Sequence, residues 1–110
     1  MAEENVPLAA AQMFGDFAPA LVRFTEDTLF GEVWTRPELS PRDRSLITIA
    51  SLVAGGNTAQ LPNHLRRGVA NGLTQEELIE AITHLAFYAG WPKAMSAMTV
   101  AKEVFGDGQG

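Results

Sequence analysis

The sequence contains no cysteine. That absence removes disulfides, thiolate metal ligands and thiol nucleophiles together, so peroxidatic and dithiol chemistry is excluded before any motif is read. Histidine is scarce, at His64 and His84 only, with no H-x3-H pair and no motif bringing carboxylates to either, so no metal site is expected. The phosphate-cradling G-x-x-x-x-G-K-[ST], the dinucleotide G-x-G-x-x-G, the esterase G-x-S-x-G and the EF-hand loop are all missing, so nucleotide, dinucleotide, ester-hydrolase and calcium readings lack their signature. Long apolar runs are missing too: the stretch from Leu46 to Ala54 is too short to cross a bilayer, so no membrane association is expected. Basic residues are outnumbered, eight against thirteen acids, for a net charge of −5, which argues against nucleic acid as a partner. The opening MAEENVPLAA lacks both a basic region and an apolar core, so no secretory signal is read and a cytoplasmic location is expected.

What is present is enough apolar material, 46% of 110 residues, for a single globular domain spanning 1–110 with its own core. Charge is unevenly distributed along it. Residues 1–35 and 68–110 are acidic, whereas 36–67 holds Arg36, Arg42, Arg44, Arg66 and Arg67 against Glu38 and Asp43. An all-arginine island in an acidic chain suits a small anionic, carboxylated ligand, because the guanidinium fork binds carboxylate bidentately. The alternative is ion pairing of these arginines with surrounding acids.

The body of the chain reads as all-helical, a compact bundle of five to six helices. Ser40-Pro41-Arg42-Asp43 is a helix start, and the helix runs to Gly55, apolar on nearly every side as a central buried helix would be. Leu61, Leu65 and Val69 recur at i, i+4, i+8 in a helix expected from about Thr58 to the Asn71-Gly72 exit. Thr74-Gln75-Glu76-Glu77 is a capping box opening a helix with its cap at Gly90, and a last helix opens at Pro92 and stops at Gly106. Two less regular helical stretches, Leu8 to Phe14 and Pro19 to Leu29, flank Gly15-Asp16-Phe17, and Gly106 to Gly110 is a loose tail. Nine aromatic residues in so small a chain point to a subunit interface and homo-oligomerisation.

His64 lies on a polar stripe with Asn57, Gln60, Arg67 and Asn71 that borders the Leu61, Leu65, Val69 stripe, which suits a pocket wall. An imidazole titrates near working pH, so His64 is the candidate general acid or base, against the alternative of an exposed surface histidine. His84, four residues from both Glu80 and Tyr88, reads as structural or interfacial. Ser45 and Ser51 read as small packing residues.

The ordered strings LFGEVWTRPELSPRDRSLITIASLVAGG and LPNHLRRGVANGLTQEELIEAITHLAFYAGWPKAMSAMTVAKEVF resemble the carboxymuconolactone decarboxylase family, over residues 29–105. This family lies in the superfamily that includes alkylhydroperoxidase D. The resemblance implies an alkylhydroperoxidase D-like all-α fold, assembled as a homo-oligomer, a trimer or a hexamer. The redox branch of that superfamily carries a glutamate and then C-x-x-C-x-x-x-H. Here the matching positions are Ser45, Asn57, Gln60 and His64, so only the histidine remains and thiol peroxidase chemistry is disfavoured. The decarboxylase branch acts without a cofactor on a carboxylated unsaturated lactone of aromatic catabolism, giving an enol-lactone and carbon dioxide. In this reading His64 is the proton donor, Arg36, Arg42, Arg44 and Arg67 are candidate carboxylate anchors, and Trp34, Tyr88 and Trp91 are candidate pocket walls. The alternative is a non-catalytic oligomeric binding or scaffold protein of the same fold.

Overall fold

A computed structural model describes residues 10–106, and among these every regular element is helical. The described chain falls into two units, one ending at Pro41 and the other beginning at Arg42.

In the first unit residues 10–14 are helical, and Leu8 and Ala9 of the first expected helix lie outside the described residues. Helix α1 (Pro19–Arg23) opens with proline in its first turn, where a missing N–H costs nothing. It passes directly into a π-helical segment, Phe24–Val33, so the helical stretch expected over 19–29 runs on to Val33 and is π-helical from Phe24. The wider repeat is visible where the Trp34 N–H bonds to the Leu29 carbonyl, five residues back, at 2.9 Å. None of the side chains of α1 or the π segment is buried.

The second unit contains α2 (Pro41–Gly55) from Arg42 onward, α3 (Leu61–Ala70), α4 (Gln75–Leu85) and α5 (Trp91–Ala101), the last running into a π turn, Lys102–Gly106. Its core is built from Ile49 and Val53 of α2, Leu61 and Leu65 of α3, Leu78 and Ile82 of α4, and Leu73 between α3 and α4. Helix α5 buries Ala94, Ala97 and Ala101 on one face, with Met98 and Val100 partly buried beside them, and the small side chains let it pack closely on α3 and α4. No helix among the described residues is long and apolar enough to cross a membrane.

Local chemistry explains the boundaries. Gly56 (φ +71) and Gly72 (φ +112) close α2 and α3 in the same way. In each the following residue bonds back five positions, Asn57 N–H to Leu52 and Leu73 N–H to Gly68, and the glycine itself bonds back three. A β-carbon strains such a positive φ. The capping box of α4 is complete, with Thr74 Oγ1 accepting from Glu77 N–H at 3.0 Å and the Glu77 carboxylate accepting from Thr74 N–H at 2.9 Å.

Four expectations are corrected. Helix α3 starts at Leu61 rather than Thr58: residues 58–60 form a turn, and Pro62 takes the first helical turn. Helix α4 ends at Leu85, four turn residues follow, and Gly90 is the N-cap of α5, which opens at Trp91. The last α-helix ends at Ala101 and only its π turn reaches Gly106, while Asp107 to Gly110 lie outside the described residues. Helix α2 buries one stripe, Ser45, Ile49 and Val53, and leaves Ile47 56% exposed, so within this chain it is not buried on all sides.

Candidate functional site

Helix α3 is amphipathic in an unusual sense, because part of its polar face is sheltered. Leu61, Leu65 and Gly68 make its apolar contacts, while His64, Arg67 and Asn71 recur at i, i+3, i+7 along an adjoining line. Of these, Arg67 is 2% exposed, and His64 and Asn71 are half-buried. The Nδ1 atom of His64 and the Nε atoms of Arg67 and Arg44 are shielded from solvent.

The tight seat of α3 arises at Gly68. A methyl group added there would lie 3.2 Å from both Ile49 Cδ1 of α2 and Leu73 Cδ1. One helical turn further on, Asn71 Nδ2 donates to the Oγ of Ser45, a side chain that is fully buried, at 2.9 Å. Advancing along α3 from Gly68 to Asn71 thus moves backwards along α2 from Ile49 to Ser45, so the two helices run antiparallel with the His64, Arg67, Asn71 line beside their seam.

The electrostatics follow from this placement. Burial pushes the His64 pKa below its ordinary value of 6.5, and the positive charge of Arg67 pushes it the same way. Both effects favour the uncharged imidazole, next to a guanidinium taken almost wholly out of water. By residue chemistry a guanidinium can bind a carboxylate through its fork and an imidazole can take up or give a proton.

The other expected site residues are placed differently. Arg44 is half-buried on α2, next in sequence to Ser45. Arg42 lies in a separate open groove of about 460 Å3 between α2 and α4, whose lining includes Leu46, Glu77, Glu80 and His84 but not His64. There it bonds to Asp43 and Glu77, each at 2.9 Å. The Thr74 N–H and then Arg42 hold the Glu77 carboxyl below its ordinary pKa. Arg36 is exposed and 3.7 Å from Glu38, and Trp34 stacks on Phe30 with ring centroids 5.6 Å apart, both within the first unit. Tyr88 is 79% exposed and stacked on His84, and Trp91 is 58% exposed and meets Phe87 edge to face. Tyr88 and Trp91 thus form an outward aromatic ridge in this chain, not an enclosed wall.

Two polar residues of this neighbourhood carry weaker sequence signals. Asn71 is on the polar stripe but resembles an ordinary helix exit, and Ser45 resembles a packing residue, its hydroxyl being visible as a hydrogen-bonding group only once α2 and α3 are docked. Ser51, read in the same way, is exposed.

The family model for the carboxymuconolactone decarboxylase family matches residues 19–103, most of the chain and all of this site. The chain belongs to the carboxymuconolactone decarboxylase family. Among curated relatives of this family member, a 4-carboxymuconolactone decarboxylase of Acinetobacter baylyi is 46% identical over 92 residues, covering 84% of this chain and 69% of that protein. A nitrosuccinic acid decarboxylase of Metarhizium robertsii is 36% identical over 78 residues, covering 71% of this chain and 54% of that protein.

Proposed function

We propose that this family member is a cofactor-independent decarboxylase of small dicarboxylates that carry their own electron acceptor, a carboxylated unsaturated lactone being the leading substrate. The observation that carries the reading is the buried Arg67 guanidinium one turn from the half-buried His64. The names of the two relatives support it through shared chemistry. Both substrates have one carboxylate to lose, a second to be held, and an acceptor group, a conjugated lactone carbonyl or a nitro group, for the electrons left behind.

Arg67 holds the retained carboxylate, with Arg44 as a second anchor. In the lactone, the bond from the ring carbon to the departing carboxylate breaks and carbon dioxide leaves. The electron pair moves through the ring double bond onto the lactone carbonyl oxygen, and a proton is then added at the carbon alpha to that carbonyl. His64 supplies this proton. It is neutral in the free protein at neutral pH, and the bound dianion favours its protonation by countering Arg67. Because the substrate delocalises its own charge, the protein's part is to orient, to stabilise the enolate and to donate the proton.

The exposed ridge of Phe87, Tyr88, Trp91 and Met95 supports a homo-oligomer, trimer or hexamer, as the assembled form. The test is carbon dioxide release from 4-carboxymuconolactone by the wild type and by His64→Ala, with oligomer size checked for both. Turnover in the wild type that is lost in a variant of unchanged assembly is the expected result. A wild type that releases none from this lactone or from nitrosuccinate points instead to the non-catalytic binding role.

A further inference from the structure

The His64–Arg67 pair sits on a helix of ten residues, Leu61–Ala70, too short to hold its own direction without tertiary support. The buried Leu61 and Leu65 and the packing of α5 supply much of that support, and two contacts with α2, which differ in kind, add to it. Ile49 against Gly68 is an apolar contact with little clearance, which sets how close the helices come but allows rotation about the contact. Asn71 Nδ2 to Ser45 Oγ is a directional bond, one turn beyond, between a half-buried amide and a fully buried hydroxyl. The apolar packing of α3 sets its position, and the directional tie adds a constraint on its rotation about its own axis. Arg67 directly precedes Gly68, one turn before Asn71, and His64 lies one turn before Arg67 on the same line.

We propose that Ser45 and Asn71 are positioning residues for the decarboxylation site, their hydrogen bond fixing the rotation of α3 and with it the aim of Arg67 and His64. The proposal rests on the reading of His64 and Arg67 as the site, and concerns two residues that themselves touch no reacting atom. Without the bond, α3 turns about its contact with Ile49, and the shielded faces of His64 and Arg67 open to water.

The experiment uses Ser45→Ala, Asn71→Ala and the double variant of the full chain. Ser45→Ala is the mildest, removing one oxygen and adding no volume. The His64 imidazole is titrated by NMR in each, alongside decarboxylation kinetics and thermal midpoints. Each single variant is expected to move the His64 titration upward, towards its value in water. Each is also expected to lower kcat on the order of tenfold with KM less affected, as small misplacements of a proton donor do. The double variant should fall clearly short of the sum of the single ones, since both remove the same bond. A His64 titration and kcat that stay at wild-type values in folded single variants, whatever the thermal midpoint does, overturn the proposal, and so do fully additive effects. The titration does not depend on the substrate: an inactive wild type counts against the decarboxylase reading, while the titration still decides the positioning role.

Discussion

Arg67→Met is the perturbation that separates a guanidinium placed for a ligand from one that only fills space. The side chain is 2% exposed, so a carboxylate bound to it does so out of competition with bulk water. Two parallel charge-assisted hydrogen bonds at about 1.5–3 kcal/mol each amount to about 3–6 kcal/mol of lost transition-state binding, or a fall in kcat/KM of about 10²- to 10⁴-fold. Methionine retains most of the apolar stem and fills the space flexibly, so the helix keeps its packing. Arg67→Lys retains the charge without the fork and should recover part of the loss. The assay is initial-rate carbon dioxide release against substrate concentration for the wild type and both variants, with helicity and assembly size measured on the same preparations. A folded Arg67→Met whose kcat/KM stays within about threefold of the wild type refutes the assignment, because no carboxylate-binding role at a dry site is that small.

Two further outcomes follow from the same geometry. The His64 pKa is lowered in the folded protein, so below 6.5 the unfolded chain binds a proton that the native state resists; stability is present in full above that pH and is lost as pH falls through it towards the folded value. Urea midpoints of the wild type should therefore drop between pH 7.5 and about 5 by more than those of His64→Gln, and equal drops would refute the lowered pKa. Thr74→Ala breaks the capping box of α4 and should cost about 1 kcal/mol in urea unfolding, with Thr74→Ser largely neutral.

The helices of the second unit were legible because their signals are local. The Thr74 to Glu77 capping box needs only four residues to be recognised, and the spacing of Leu61 and Leu65 needs only the helical repeat. Boundaries were less so. Pro62 marks a first helical turn, yet its sequence does not exclude helix before it, and Ala86 to Ala89 have helical composition but lie in a turn. The π segment from Phe24 to Val33 has no periodicity of its own to announce it.

The candidate site divides along the same line. From the sequence came the absence of thiol chemistry, the single histidine on a polar stripe, the arginine island and the family resemblance, all properties of residue type and order. Which arginine is dry came only from the tertiary structure. Arg42 and Arg67 are chemically identical, but Arg42 reaches from α2 to Glu77 of α4 and to Asp43 and stays half-exposed, whereas the packing of the folded chain buries Arg67 beside His64. Ser45 became a hydrogen-bonding residue only when Asn71, 26 positions away, met it. Helical periodicity is encoded within a few residues, while desolvation depends on what packs against a side chain, and that is a property of the assembled helices.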